Sequence, residues 1–258
     1  MLQILSLDRK YIAYTYSLKK YLLRFLFNRK PFPLQLGQAT FLVEPGSSDL
    51  YTIYEICWDQ GYQPRQQQPP YHFRTIVDFG ANIGVFSVWA AQAFHPETLV
   101  AVEMNQACFQ QLTANIRLNG LESVIRPIEA AIYQHTGQVG TRRKVGYSFH
   151  ELLPHGRRNC VRSFSFVDFL QHTGLETIDL LKIDIEGAEK YLLTAENAAL
   201  FKERVKYILL ETHSVKDFNV EHCTGYLRSL GFQLVLTPTP YVIDKNYIID
   251  ALNPAFTS

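Results

Sequence analysis

A short segment in the first half of the chain has the residue types of a nucleotide-binding turn. Residues 75–84 form an apolar run that leads through Asp78 into Gly80, Asn82 and Gly84. Glycine allows positive φ and close approach of a ligand, and a helix that begins there offers unpaired N–H groups. In the dinucleotide fingerprint Gly-x-Gly-x-x-Gly the middle glycine lets a pyrophosphate lie against the backbone, and Asn82 occupies that place. The turn therefore favours an adenosine ligand without a pyrophosphate, such as S-adenosylmethionine.

A carboxylate follows at the distance expected of a ribose-binding acid. The apolar run 98–103 ends in Glu103, nineteen residues beyond Gly84. In wound α/β folds an acid about 20 residues after the glycine turn lies at the tip of the next strand and binds ribose hydroxyls. Two carboxylate oxygens suit a vicinal diol because each accepts one O–H. The alternative interpretation of Glu103 is an ordinary solvated acid at a strand end.

Two further positions at predicted strand ends could contact the same ligand. Asn105 opens a helix after Glu103, and at Glu129-Ala130-Ala131 either backbone groups or Glu129 could meet an adenine edge. Ligands of wound sheets bind beyond the carboxyl ends of the strands, where these residues lie. We expect the cofactor-binding residues to be Asp78, Gly80, Asn82, Gly84, Glu103, Asn105 and Ala130.

Two acids at the fourth strand end are candidates for catalysis. Asp184 and Glu186 alternate along the chain just before Gly187, which we expect to begin a helix. A carboxylate there is also favoured by the helix dipole, so a stabilising cap is the competing interpretation. The functional alternatives are orienting the methionine amino group, accepting a proton from the substrate, or binding a divalent ion. No third ligand is evident, so no metal site is predicted, and Lys182 and Glu189 are interpreted as an ordinary ion pair and a helix-surface charge.

His213 is the third catalytic candidate and follows the fifth predicted strand, in Glu211-Thr212-His213. With a reference pKa of roughly 6.5, a histidine has enough of its neutral form to act as a general base near neutral pH. The competing interpretation is a structural histidine that bonds a backbone carbonyl. The predicted catalytic residues are Asp184, Glu186 and His213.

The elements that must position these residues alternate between strand and helix from Arg74 onward, which predicts a wound parallel sheet. We expect the strands at 75–79, 98–103, 123–132, 177–183 and 205–211, the helices at 83–94, 105–119, 187–198 and 218–230, and a closing antiparallel hairpin at 232–237 and 241–249.

The N-terminal part is predicted to be an extension of the main domain. Residues 9–29 have the pattern of a helix, 41–43 and 51–57 that of a strand hairpin, and 61–70 that of a loop. We therefore expect an N-terminal helix and hairpin extension at 1–70 and a cofactor-binding domain at 71–258.

Composition and charge restrict the class of protein. The 258 residues are 47% hydrophobic and 19% charged, as in a globular protein, with a net charge of +1 that gives no overall case for nucleic acid. The charge is uneven, because residues 1–30 carry seven basic side chains and one acid. This segment could pack on the main domain, cover the substrate, or contact a membrane surface. The basic stretch 141–162 could hold an acidic acceptor or form a solvated hairpin.

Cysteine usage indicates a reducing compartment. Cys57, Cys108, Cys160 and Cys223 are scattered without a CxxC pair, which argues against zinc and against a disulfide framework. No signal peptide is evident at the N-terminus, so a cytoplasmic location is expected.

Taken together, these motifs resemble the FkbM-type family of S-adenosylmethionine-dependent methyltransferases. The resemblance runs from about Tyr51 to Phe232 and is most specific at Lys182–Glu189, Lys-Ile-Asp-Ile-Glu-Gly-Ala-Glu. It implies the α/β class I methyltransferase (Rossmann-like) fold, with a seven-stranded mostly parallel sheet, helices on both faces and an antiparallel last strand. It also implies S-adenosylmethionine as cofactor and methylation of a hydroxyl.

The expected acceptor is a sugar, a glycolipid or a natural-product-like molecule, with no nucleic acid partner and possible peripheral membrane contact through residues 1–30. Two other classes stay open. The chain could be a non-enzymatic or membrane-docked module that keeps the adenosine-cofactor pocket. A nicotinamide-dependent oxidoreductase is the third reading, against which Asn82 and the Asp-Ile-Glu-Gly run both count.

Overall fold

The computed structural model describes residues 30–58, 61–66, 72–143, 150–153, 160–215, 217–239 and 246–256. The strands, in chain order, are β1 (Phe32–Leu36), β2 (Ala39–Val43), β3 (Thr75–Phe79), β4 (Thr98–Glu103), β5 (Ile125–Glu129), β6 (Ala131–Ile132), β7 (Gly137–Arg143), β8 (His150–Leu153), β9 (Cys160–Phe164), β10 (Ile178–Ile183), β11 (Val205–Glu211), β12 (Gln233–Pro238) and β13 (Tyr247–Leu252).

Seven α-helices connect these strands. They are α1 (Asp49–Ile53), which continues as a π-helical turn over Tyr54–Trp58, α2 (Val85–Phe94), α3 (Gln106–Leu118), α4 (Phe166–Thr173), α5 (Glu189–Leu192), α6 (Ala198–Arg204) and α7 (Val220–Ser229) within the described ranges. Short 3-10 turns lie at Ala195–Asn197 and Pro254–Phe256. No helix of the described chain has the length and apolar character needed to cross a bilayer.

The central sheet has seven strands in the order β12-β13-β11-β10-β3-β4-β5. The last strand of the chain, β13, is antiparallel to its two neighbours, β11 and β12. The other neighbouring strands of the sheet, from β11 through β10, β3 and β4 to β5, are parallel to one another. The predicted fold class, an α/β sheet with an antiparallel last strand, is confirmed. The closing hairpin is also present, and its second strand lies at 247–252. The predicted range for that strand was 241–249, and residues 241–245 of it lie outside the described residues.

Both faces of the central strands are buried, which explains their continuous apolar sequence. Successive residues point to opposite faces, so Ile76 packs with α2, α3 and the N-terminal hairpin, while Val77 packs with α4, α6 and α7. This arrangement fixes the strand register and therefore the level at which each strand ends. All the candidate site residues after β3, β4, β10 and β11 are thereby brought to one edge of the sheet.

A second, four-stranded sheet of order β6-β9-β7-β8 follows β5. It contains the described parts of the basic stretch 141–162, whose residues 144–149 and 154–159 lie outside the described ranges.

The predicted N-terminal hairpin was wrong in its second strand. Phe41–Val43 belongs to a hairpin, but its partner is β1, and residues 51–57 are helical. Tyr, Thr and Ile favour strands in isolation, but here Ile53 and Ile56 are buried on one side of a helical segment, so packing overrides propensity. The predicted helix at 9–29 lies outside the described residues.

The predicted helix at 187–198 was also wrong in extent. Glu186 and Gly187 both have positive φ, at +55° and +93°, so the chain turns before a helix can begin. Only four residues, Glu189–Leu192, then form α5, and a separate helix starts at Ala198.

Candidate active site

A cavity of about 1100 Å³ opens at the carboxyl ends of the central strands. It is lined by the glycine turn after β3, by residues that end or follow β4, β5, β10 and β11, and by the segment from Glu44 to Ile56. Pockets for small molecules have volumes of roughly 300–1000 Å³. The cavity is therefore large enough for a nucleoside cofactor together with an acceptor.

Glu103 is held firmly at this cavity by the backbone. Its Oε2 atom accepts the N–H of Asn82 at 2.8 Å, and its Oε1 atom accepts the N–H of Asn105 at 2.7 Å. Burial raises the pKa of Glu103, while these two N–H groups act in the opposite direction. Each carboxylate oxygen keeps a lone pair for a ligand hydroxyl, as binding of a ribose diol requires.

The neighbouring residues predicted to bind the cofactor lie beside Glu103. The side chain of Asn105 accepts two N–H groups in the first turn of α3, at 2.9 and 3.3 Å, and so caps that helix. Asn105 and Ala130 both line the cavity, and the N–H of Ala130 donates to the carbonyl of Glu103 at 3.1 Å. Glu129 is exposed and is not among the described residues that line the cavity.

The two glycines of the turn are required by packing. A Cβ on Gly80, which has φ +79°, would lie 1.8 Å from the carbonyl oxygen of Asp184. A Cβ on Gly84, which has φ +87°, would lie 2.6 Å from Leu112. Gly80 and Asn82 line the cavity, whereas Gly84 does not. The spacing of the motif is thus explained by the approach of β10 and α3 to the turn.

Asp78 lies beneath the turn instead of in the cavity. It is fully buried, accepts a hydrogen bond from Ser87 Oγ at 2.6 Å and lies 3.2 Å from Lys182 Nζ. Lys182 also donates to the carbonyl of Gly80 at 2.9 Å and lies 3.4 Å from Asp184 Oδ2. Burial lowers the pKa of Lys182, but Asp78 and Asp184 outweigh this effect and raise it. Asp78 can therefore influence a ligand only through Lys182 and the turn.

The three predicted catalytic residues meet around the imidazole of His213. Its Nδ1 atom donates to Glu189 Oε1 at 2.8 Å. Its Nε2 atom faces three other carboxylates, at 3.4 Å from Glu186, 3.7 Å from Asp184 and 4.0 Å from Glu211. Four carboxylates therefore surround one imidazole at the edge of the cavity.

Glu189 is not the helix-surface charge that the sequence indicated. Its side chain is fully buried, because the turn at Glu186 and Gly187 directs the start of α5 inward. Since α5 begins at Glu189, neither Asp184 nor Glu186 caps it, and the cap interpretation of these acids has no counterpart in the structure.

Electrostatics give the members of the cluster different protonation behaviour. Burial lowers the pKa of His213, but Glu189, Glu186 and Glu211 outweigh this effect and raise it well above the ordinary value. Burial raises the pKa of Glu186 to about 8, although 42% of its side chain remains exposed. His213 is thus a cation near neutral pH, and the pKa of Glu186 is raised into the range just above neutrality.

Asp184 behaves in the opposite way. Burial raises its pKa, but Lys182 and His213 act more strongly, so the net pKa is lowered. Asp184 therefore stays ionised and is a weak base. Its negative charge instead helps to hold the cations on either side of it.

Two residues that were not predicted to be catalytic complete the cluster. Glu211 lies at the end of β11, and burial raises its pKa. Tyr62 precedes the main domain in a segment predicted as a loop, and its hydroxyl contacts both Glu211 and Asp184. The position of Glu211 at the end of a predicted strand, two residues before His213, indicated the first, and nothing in the sequence indicated the second.

The cluster also contains a possible set of metal ligands. Asp184, Glu186 and His213 each offer one ligand atom, and these atoms lie within 4.8 Å of one another. The sequence analysis placed Asp184 and Glu186 together, and the fold brings His213 beside them as a third ligand. Lys182 and the imidazolium of His213 already supply positive charge beside these acids.

The residues around the cavity fit an adenosine that carries an amino-acid tail. Glu103 offers acceptors for a ribose, and the small residues Ala130 and Ala131 leave room for a flat base. Asp184 and Glu186 lie after β10, where they could hold an ammonium group. Among the described side chains that line the cavity, Lys182 and His213 carry positive charge, and both are already paired with carboxylates, so a pyrophosphate would find little free countercharge.

Comparison with known proteins identifies one matching family model and proteins of similar sequence. The family model of the methyltransferase FkbM domain matches residues 78–234. Methyltransferase sdnD of Sordaria araneosa is 25% identical over 209 residues, which are 68% of this chain and 80% of that protein. The tRNA(Phe) (4-demethylwyosine(37)-C(7)) aminocarboxypropyltransferase of Methanocaldococcus jannaschii is 30% identical over 76 residues, which are 28% of this chain and 30% of that protein.

A similar fold occurs in the crystal structure of methyltransferase FkbM from Methylobacillus flagellatus KT. The two structures superpose with a TM-score of 0.54 and 14% sequence identity, over 93% of this chain and 60% of that chain. At this identity the similarity concerns the fold alone.

Proposed function

The chain belongs to the FkbM methyltransferase family, and from this premise we propose that it methylates a hydroxyl oxygen of a sugar, a glycolipid or a natural-product-like acceptor. Its cofactor is S-adenosylmethionine, which when bound supplies an electrophilic methyl group. The remaining work falls to the protein, which must align the acceptor with that methyl group, exclude water and remove the hydroxyl proton.

The observation that carries the proposal is the proton-exchanging cluster at the cavity. A thioether leaving group needs no proton, whereas a hydroxyl acceptor must lose one. Glu186 is partly exposed to the cavity and has a pKa of about 8, which makes it a stronger base than an ordinary carboxylate. We assign it the role of proton acceptor.

The neighbours of Glu186 hold it in that role. The imidazolium of His213, 3.4 Å from Glu186, balances the carboxylate before it takes up a proton and is itself fixed by Glu189 at 2.8 Å. Asp184 stays ionised and orients both the imidazolium and a cofactor ammonium group. At the other end of the cavity, Glu103 would hold the ribose.

The proposal is tested with S-adenosylmethionine carrying an isotope-labelled methyl group, incubated with the full chain and an extract of the source cells. A labelled product identified by mass spectrometry, with the label on an ether oxygen by NMR, supports it. A label on nitrogen or carbon rejects hydroxyl methylation. Cofactor binding without any labelled product favours instead a binding module that lacks transfer activity.

A further inference from the structure

A tyrosine that precedes the matched family domain lies inside the acidic cluster. Tyr62 is 1% exposed, lines the cavity, and lies sixteen residues before Asp78, where the family match begins. Its hydroxyl lies 3.1 Å from Asp184 Oδ2 and makes a shorter hydrogen bond to Glu211 Oε2. One hydroxyl therefore bridges two carboxyl groups from two different strand ends.

The position of this hydroxyl is fixed by the packing of the ring. Phe86 meets the Tyr62 ring edge-on, with centroids 5.8 Å apart, and Lys182 Nζ lies 5.4 Å from the ring centroid. Aromatic pairs and cation–π contacts of this kind hold a buried ring in one orientation. The hydroxyl thus has little freedom to leave the two carboxyl groups.

A hydroxyl in this place changes the chemistry of both acids. An O–H that donates to a carboxylate stabilises the charged form and so lowers its pKa. Without it, Asp184 and Glu211 would face each other with one fewer donor between them, and like charges at short range disfavour ionisation. Both acids also face His213, at 3.7 and 4.0 Å, so their orientation sets the surroundings of the imidazole.

We infer that Tyr62 is a positioning residue of the methyl-transfer site, whose hydroxyl holds the carboxyl groups of Asp184 and Glu211 in their places around His213. The inference rests on the proposed function and extends it to a residue outside the matched family domain. The segment before Asp78 is then part of the active site.

The test compares two variants that each remove one buried tyrosine hydroxyl. Tyr62→Phe removes the bridge, and Tyr207→Phe is the matched control, because Tyr207 is equally buried and donates to a carboxylate of Asp250 away from the cavity. Carboxyl groups are followed by carbon-13 NMR titration of the full chain labelled at Asp and Glu. Asp184→Asn and Glu211→Gln assign the two signals.

In Tyr62→Phe the titration midpoints of Asp184 and Glu211 should rise by about one pH unit, while Tyr207→Phe leaves both unchanged. In the labelled-methyl assay Tyr62→Phe should lower kcat about tenfold or more, with the Kd for S-adenosylmethionine unchanged. Titration midpoints equal to those of the parent chain would overturn the inference and leave Tyr62 as a packing residue.

Two controls separate the possible failures. A parent chain that transfers no methyl group rejects the proposed function, but the titration still decides on Tyr62. If Tyr62→Phe does not fold, the parent chain labelled with carbon-13 at the Cζ atom of tyrosine gives the second measurement. The Tyr62 signal should shift as the two carboxyl groups titrate, because its hydroxyl contacts both, and a signal that does not change over that pH range contradicts the inference.

Discussion

Replacing Glu103 by glutamine should weaken cofactor binding strongly while the fold is kept. Glutamine has the same shape, but it has one acceptor oxygen where glutamate has two and carries no charge. In the structure both carboxylate oxygens accept backbone N–H groups, from Asn82 at 2.8 Å and Asn105 at 2.7 Å. The amide NH₂ of glutamine must therefore face one of these donors, and a ribose loses an acceptor.

The magnitude follows from the burial of this group. Glu103 is 9% exposed, so water screens its interactions little. A hydrogen bond to a charged group contributes about 1.5–3 kcal/mol, and 1.4 kcal/mol corresponds to tenfold in Kd. We expect the Kd for S-adenosylmethionine to rise about 10- to 100-fold. The lost N–H partner should also lower the free energy of unfolding by about 1–3 kcal/mol.

The assay is isothermal titration calorimetry of the full chain with S-adenosylmethionine, with urea unfolding measured in parallel. Glu129→Gln is the matched control, because Glu129 is paired with Glu103 in register on the neighbouring strand but is exposed and away from the cavity. It should leave the Kd unchanged. A folded Glu103→Gln variant whose Kd stays within about twofold of the parent refutes the role assigned to this carboxylate.

Three other outcomes follow from the structure. The rate of methyl transfer should increase as the pH rises through about 8, because the Glu186 carboxyl can accept a proton only once it is ionised. In a pH–rate profile, Glu186→Gln should remove this increase and lower kcat about 100-fold. Gly80→Ala should lower the free energy of unfolding, measured in urea, by about 2–4 kcal/mol, because its Cβ would meet the carbonyl of Asp184. Gly120→Ala is the control, since Gly120 also has a positive φ, +65°, but no atom within 4 Å of the added Cβ, and it should cost about 1 kcal/mol. Equal losses in the two variants would contradict the packing argument. Activity should survive dialysis against EDTA, since His213 and Lys182 already place positive charge beside Asp184 and Glu186, and loss restored by magnesium would instead assign these acids to a metal.

The strands and the nucleotide turn were predictable because their signals are local. Strands buried on both faces have continuous apolar sequences, so β3, β4 and β11 were predicted at their observed bounds. The glycine turn and Glu103, which follows it at a fixed spacing, were predictable for the same reason. The resemblance to the FkbM family rested on these motifs and on the Lys182–Glu189 run, and the family match confirmed it.

The environment of the acids was not predictable, because it depends on contacts between residues far apart in sequence. Glu189 follows a turn that two positive φ angles create, which buries it against His213. Tyr62 reaches Glu211 across 149 positions of sequence. Neither the periodicity nor the spacing of residues in the sequence indicates such a contact.

The sequence by itself thus determined the order of the strands along the chain, the glycine turn and the position of Glu103 after it, since each depends on neighbouring residues. Only the tertiary structure decided in which direction the pKa of each acid is shifted. That property depends on burial and on the distances among Glu186, His213 and the surrounding carboxylates, and these exist only once β10, β11 and the segment of Tyr62 are packed together.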